Sequence, residues 1–209
     1  MNIILFGAPG SGKGTQAITL SKELDLQWIS LGDILRKEVK DATPVGQEVA
    51  QYMEKGLLVP DELVAKVIDA SITDKSFILD GYPRNVAQAQ KLDEILDKRG
   101  TQIDKFINLE VDQKTVVERL SKRRVCKSCS RNYHLVNMPS KQEGICDDCA
   151  SPLIQRKDDT NEVILKRWEV FNAKSTDLID FYKKQGKLVT LSGSEDRFLV
   201  FEKIKKLVQ

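Results

Sequence analysis

Nine residues near the N-terminus, Gly7-Ala8-Pro9-Gly10-Ser11-Gly12-Lys13-Gly14-Thr15, have the make-up of an anion cradle. Through Lys13 they satisfy G-x-x-x-x-G-K. Glycines let a backbone wrap closely around a phosphate with its N–H groups turned inward. A helix opening after such a loop adds the positive end of its dipole. A lysine at this spacing reaches the β- and γ-phosphates. The bland alternative is a glycine-rich turn with an incidental lysine. An apolar run before the loop and a helical pattern after it argue for a nucleoside triphosphate site instead. One residue departs from the pattern. Gly14 stands where a serine or threonine usually offers a hydroxyl to Mg²⁺, and the first hydroxyl is Thr15.

A second constellation holds every cysteine of the chain: Cys126-x2-Cys129 and Cys146-x2-Cys149. Two such knuckles can set four thiolates tetrahedrally around Zn²⁺. With four cysteines no position remains for water, so the metal is expected to be structural. His134, Asp147 and Asp148 are then unnecessary as ligands. Disulfides or free thiols are the alternatives. A third group is basic: Arg36 and Arg84 each follow a turn, and Arg119 to Arg131 contains six cations and no acid. A guanidinium fork grips a phosphate bidentately, which an ammonium cannot do. Taken alone, the basic segment reads as a solvated helix end, a nucleic-acid track or a flap over a triphosphate. Asp80 reads as a water-mediated Mg²⁺ partner or as a turn residue.

These residues need a frame. Met1 to Phe6 reads as a buried strand and Lys13 to Leu24 as a helix. Residues 28–31 read as a short strand, and Gly32-Asp33 opens a helix to about Val39. Pro44 and Gly46 are expected to break the pattern before a helix ending near Lys55. Pro60-Asp61 starts another helix. Strands are expected at Ser76 to Leu79, Lys105 to Val111 and Lys187 to Leu191. Asp112 is expected to cap the helix that follows it. Ile164, Leu165, Trp168, Phe171, Leu178, Ile179 and Tyr182 mark a long amphipathic helix, and Asp196 to Leu207 a last one. Strands alternating with helices imply a parallel sheet covered on both faces. Ligands of such sheets sit beyond the carboxyl ends of the strands, where Arg36 and Arg84 would converge on the phosphate loop.

Length and composition bound the rest. A chain of 209 residues suits one α/β domain with small inserts. A net charge of +2 is too small for wholesale nucleic-acid binding. The N-terminus lacks a basic region and a cleavage site, and no segment is apolar enough to span a membrane. A cytoplasmic, monomeric protein without nucleic-acid or membrane partners is expected.

The loop, together with Ser30-Leu31-Gly32-Asp33-Ile34-Leu35-Arg36, Asp80-Gly81-Tyr82-Pro83-Arg84 and Arg156-Lys157-Asp158-Asp159, resembles the adenylate kinases in order and spacing over the whole chain. The resemblance implies an α/β P-loop kinase with a core of residues 1–29, 60–121 and 160–209. It further implies an AMP-binding insert at 30–59 and a zinc-binding lid at 122–159. The implied reaction is reversible Mg²⁺-dependent phosphoryl transfer from ATP to AMP, giving two ADP and serving adenine nucleotide homeostasis.

The resemblance also assigns residues. ATP would meet Gly10, Ser11, Gly12, Lys13, Gly14 and Thr15, with Arg119 and the Gly193–Glu195 loop at its adenine. Arg123 would meet its phosphates, and Asn132 and Tyr133 would lie nearby. AMP would meet Arg36, Arg84, Gly81, Tyr82 and Pro83, with Gln88 at its adenine and Leu57, Leu58 and Val59 lining the pocket. Leu31 stands where a threonine or serine is expected. Arg156 and Arg167 would serve the transferring phosphate and AMP, and Asp158 and Asp159 would tie down the lid. Lys13, Arg123, Arg156 and Arg167 would carry catalysis. An acceptor phosphate with a second pKa of roughly 6 is already anionic, so no general base is needed. The rivals are a kinase for another nucleoside monophosphate and a zinc-ribbon nucleic-acid-binding NTPase.

Overall fold

A computed structural model describes residues 1–209. The chain opens with β1 (Ile3–Gly7), α1 (Lys13–Glu23), β2 (Gln27–Ser30), α2 (Leu31–Lys40) and α3 (Pro44–Glu54). It continues through α4 (Asp61–Ser71), β3 (Phe77–Asp80), α5 (Val86–Lys98), β4 (Lys105–Glu110) and α6 (Gln113–Ser121). Three short strands follow: β5 (Arg123–Cys126), β6 (Asn132–His134) and β7 (Leu153–Ile154). It ends with α7 (Asn161–Lys184), β8 (Leu188–Ser192) and α8 (Arg197–Val208).

Five strands form a sheet in the order β2-β3-β1-β4-β8, with every neighbouring pair parallel. Side chains alternate across β1, and the alternation splits its apolar run between two cores. Ile4 and Phe6 pack with residues of α2, α3, α4, α5 and α7, among them Leu35, Val49, Ile68, Leu92 and Tyr182. Ile3 and Leu5 pack on the opposite face with Ala17 and Leu20 of α1 and Val200 and Ile204 of α8. Burial on both faces is why β1 carries no polar residue from Ile3 to Phe6. The register aligns the carboxyl ends: Leu5 and Ser30 lie against Asp80, and Gly7 lies against Leu109. The phosphate loop, Ser30 and the Asp80 turn therefore leave one edge of the sheet together. The other sheet is antiparallel, in the order β6-β5-β7, and lies entirely in the cysteine-bearing segment.

Several boundaries depend on caps. Ser30 Oγ accepts from Asp33 N–H at 3.4 Å, so the helix begins at Leu31 and the strand stops one residue before the expected end. Asp112 Oδ1 accepts from Thr115 N–H at 2.7 Å, as its position after β4 implies. Pro44 and Gly46 do not break a helix but open one. Pro44 occupies the first turn, where no N–H is needed, and Thr43 Oγ1 accepts from Gly46 N–H at 3.0 Å. Gly46 is a glycine because α2 crosses it: a Cβ there would lie 2.0 Å from the Glu38 carbonyl oxygen. On α7, Leu165 is 40% exposed and lies off the buried stripe.

The close crossing gives a test. Gly46→Ala must push α2 from α3 and is expected to cost about 1–3 kcal/mol. A thermal melt will show Tm falling by about 2–4 °C per kcal/mol. An unchanged Tm would refute the account of this contact.

Candidate active site: two cavities sharing an arginine wall

A cleft of about 590 Å³ opens at the carboxyl edge of the sheet. Its walls are the loop from Pro9 to Thr15, the Asp80-Gly81 turn, β6 and the Gly193–Arg197 segment. Eight cationic side chains line it against four carboxylates, so its field favours a polyanion. Lys13 Nζ donates to Ala8 O at 3.1 Å and lies within the influence of Asp80. Burial lowers the Lys13 pKa to about 8, with Asp80 opposing the shift. The same burial raises the Asp80 carboxyl, against the pull of Lys13. Asp80 comes close to the loop at Gly14: a Cβ at this position would lie 3.0 Å from Asp80 Oδ2, a tight contact. Where a hydroxyl-bearing side chain is usual, the Asp80 carboxylate reaches in from β3.

Arginines from separate segments meet in this cleft, each held by an aspartate or a carbonyl. Arg36 donates to Asp33 Oδ1 at 2.5 Å. Arg156 lies 3.7 Å from the same oxygen and donates to Asn132 Oδ1 at 2.9 Å. Arg123 grips Asp159 bidentately at 2.8 and 2.5 Å, joining the chain entering the small sheet to the chain leaving it. Arg167 of α7 donates to Asp158 Oδ2 at 3.1 Å. Arg84 Nε donates to Gly81 O at 2.8 Å. Arg119 donates to Gly193 O at 2.8 Å, linking α6 to the loop after β8. Burial, with Arg123 and Arg36 close by, lowers the Arg156 pKa to about 9. Burial would raise Asp33 and Asp158, but their arginine partners outweigh it and hold both below the usual carboxylate range.

A second cavity, about 60 Å³, lies beside the first. Leu31, Leu35, Met53, Leu57, Val59 and Val64 make one part of its wall apolar, and Gln88 and Asp158 also line it. Arg36, Arg84 and Arg167 line both cavities. Two pockets meeting at a row of guanidinium groups is the arrangement a phosphate exchanged between two nucleotides requires.

Known proteins agree. The family description "adenylate kinase" matches residues 5–187. The chain is 46% identical over 200 residues to the adenylate kinase of Caldicellulosiruptor bescii, covering 94% of this chain and 93% of that protein. It is 45% identical over 210 residues to that of Thermoanaerobacter sp. (strain X514), covering 99% and 97%. It is 42% identical over 212 residues to that of Clostridium tetani, covering 100% and 98%. The chain belongs to the adenylate kinase family.

Most residues expected from the adenylate kinase resemblance line the cavities. Gly10 to Thr15, Arg119, Asn132, Tyr133 and Glu195 face the larger one, with Asp80 and Gly81. Leu31, Leu57, Leu58, Val59 and Gln88 face the smaller. Tyr82 and Pro83 face neither cavity. Tyr82 is 1% exposed and its hydroxyl donates to Gln88 O at 3.0 Å, so it braces the turn from the core side. Tyr133 is also mostly committed elsewhere: its ring packs with Cys126 and Cys146, and its hydroxyl accepts from Asp147 N–H at 2.7 Å. Glu195 pairs with Lys203 at 2.5 Å. Sequence reasoning overlooked Asp33, which braces Arg36 and Arg156. Its only local sign is the three-residue spacing to Arg36. Arg197 and Phe198 also line the cleft unanticipated.

The four cysteine Sγ atoms lie within 4.8 Å of one another. Cys126 and Cys149 approach to 3.3 Å and Cys129 and Cys146 to 3.5 Å, and no pair is bonded. A tetrahedron with metal–sulfur bonds of about 2.3 Å has sulfur–sulfur edges of about 3.8 Å. The cluster is near that size, and it fits a four-thiolate metal centre.

The lowered Lys13 pKa makes triphosphate binding proton-linked. Above about pH 8 the free protein holds Lys13 neutral. A bound triphosphate favours the ammonium, so binding there takes up a proton and weakens as pH rises. Calorimetry at pH 8.5 in buffers of different ionisation enthalpy is expected to show this uptake, and Lys13→Arg, charged throughout, to lose it. Equal uptake in both proteins would contradict the assignment.

Proposed function

We propose that the chain catalyses reversible phosphoryl transfer from MgATP to AMP, giving two ADP. The observation that carries this is the common wall: Arg36, Arg84 and Arg167 border both cavities. ATP occupies the larger, its phosphates along the loop from Gly10 to Thr15 and its base towards Arg119 and Gly193. AMP occupies the smaller, its base among Leu31, Leu57, Leu58 and Val59 beside Gln88. An AMP phosphate oxygen attacks the γ-phosphorus, and the bond to the β–γ bridging oxygen breaks. No base is required because the attacking oxygen is already anionic. Lys13, Arg123, Arg156 and Arg167 then stabilise charge on the transferring group. The Asp33, Asp158 and Asp159 pairs hold these guanidinium groups in place until phosphates take over as partners.

Asp80 and Thr15 are the residues suited to the Mg²⁺ of MgATP, Asp80 through water. The ion supplies charge neutralisation between the phosphates. The four cysteines suit Zn²⁺, which supplies a cross-link. The small sheet and its loops otherwise have only a small core, a cluster of Cys126, Tyr133 and Cys146 with Val125 buried nearby in sequence. We assign residues 122–159 as a lid and 30–59 as an acceptor-binding insert on a core of 1–29, 60–121 and 160–209. Lid closure to exclude water is well known in adenylate kinases. No helix is long and apolar enough to cross a membrane.

The deciding experiment is a coupled assay of ADP formation from ATP with AMP, UMP, CMP or GMP as acceptor. AMP is expected to be preferred, and hydrolysis without acceptor to be slow. Arg84→Ala is expected to lower kcat/KM by about 10²-fold or more with the fold unchanged by circular dichroism. Near-normal turnover would remove the acceptor-site assignment. Metal analysis should find one zinc per chain. Cys126→Ser should lose it and lower Tm, by about 2–4 °C per kcal/mol. A zinc-free wild-type protein would overturn the metal assignment.

A further inference from the structure

We propose that Asp61, which neither cavity includes, determines the base preference of the acceptor pocket by locking the Gln88 carboxamide in one orientation. The inference rests on the smaller cavity being the acceptor site. Gln88 is 2% exposed and stands in that cavity's wall, so its amide is fixed by buried partners and not by solvent. Its Oε1 accepts from Arg84 N–H at 2.8 Å. Its Nε2 donates to Asp61 Oδ1 at 2.7 Å. A backbone N–H can only donate and a carboxylate can only accept. The amide therefore has one allowed orientation, and a flip would set donor against donor and acceptor against acceptor.

Asp61 is itself held. It is the first residue of α4, and both its oxygens receive Asn85 Nδ2 at 3.2 Å. Asn85 in turn caps α5, its Oδ1 accepting from Gln88 N–H at 2.8 Å. Asp61, Asn85 and Gln88 thus form a closed triangle joining two helix starts. Arg84, a member of the shared arginine wall, enters the same network through its backbone N–H.

After these bonds the carboxamide retains one N–H and one lone pair. Adenine offers a complementary pair, the N6 amino donor beside a ring-nitrogen acceptor, and glutamine meets such an edge bidentately. Hypoxanthine differs by carrying an oxygen at position 6 and a hydrogen on N1. Its N1 edge has the reverse order and would suit the flipped amide. Apart from Asp158 and the shared wall of Arg36, Arg84 and Arg167, the other side chains of the cavity are apolar, and Leu31 brings no hydroxyl that could compensate. The orientation of one amide therefore separates the two bases, and Asp61 is the positioning residue behind it.

The test compares AMP and inosine monophosphate as acceptors at saturating MgATP, in the wild type, Asp61→Ser and Asp61→Asn. Serine keeps an oxygen at the start of α4 but falls short of Gln88. Asparagine has the same shape and can present a weaker, neutral acceptor. The ratio of kcat/KM for AMP over inosine monophosphate is expected to fall about tenfold or more in Asp61→Ser and about threefold in Asp61→Asn. The loss should appear mainly in KM for AMP, with KM for ATP unchanged. If serine prevents folding, the asparagine variant decides alone. An unchanged ratio, or an equal loss on both acceptors, would make Asp61 a purely structural link and overturn the proposal. Failure of the wild type to form ADP from AMP would overturn the kinase reading together with it. ADP formation with an unchanged ratio would overturn the lock alone.

Discussion

The dominant constraint in this molecule is like-charge crowding. Lys13, Arg36, Arg84, Arg123, Arg156 and Arg167 converge on one cleft. Unpaired cations at such spacing repel strongly where water is partly excluded. Burial already pulls Arg156 down to about 9 and Arg167 to about 10, with neighbouring arginines adding to both shifts. Asp33, Asp80, Asp158 and Asp159 offset part of the charge. The remaining imbalance is what a pair of nucleotide phosphates can relieve.

Assembling that cluster is the task of the parallel sheet. Its cations come from distant parts of the chain: α1, α2, the turn after β3, β5, the segment after β7, and α7. Strands in common register bring Lys13, Arg36 and Arg84 to one edge, and the small antiparallel sheet brings Arg123 and Arg156 to the same cleft. The two cores behind the sheet make this edge stiff. Ile3 and Leu5 are fixed to α1 and α8, while Ile4 and Phe6 are fixed to the opposite helices. Ion pairs can then exchange partners at the rim without moving the frame.

Gly14 and Gln88 show how backbone-scale constraints reach the chemistry. At Gly14 a side chain would crowd Asp80, and a carboxylate from another strand stands where a local hydroxyl is usual. Gln88 presents a defined amide edge because a carboxylate and a backbone N–H leave it no alternative. Neither choice is local, and each depends on a contact across the fold.

Much of this was legible in the chain. The phosphate loop, the paired cysteine knuckles, the alternation of strand and helix and the arginine-bearing turns are short-range patterns. Their physical causes (φ freedom, ligand spacing, apolar periodicity) act within a few residues. The start of the helix at Pro44 is not legible locally, because a proline stops a helix or opens one according to its place in the first turn. The tertiary structure alone decided that Asp80 lies against Gly14, that Tyr82 faces the core and not the site, that Asp33 braces two arginines, and that Asp61 orients Gln88. These are contacts between segments far apart in sequence, set by strand order and helix packing. The loop from Gly7 to Thr15 by itself established that a triphosphate could be held; the fold, by placing a second pocket behind a shared row of arginines, supplied somewhere for the phosphate to go.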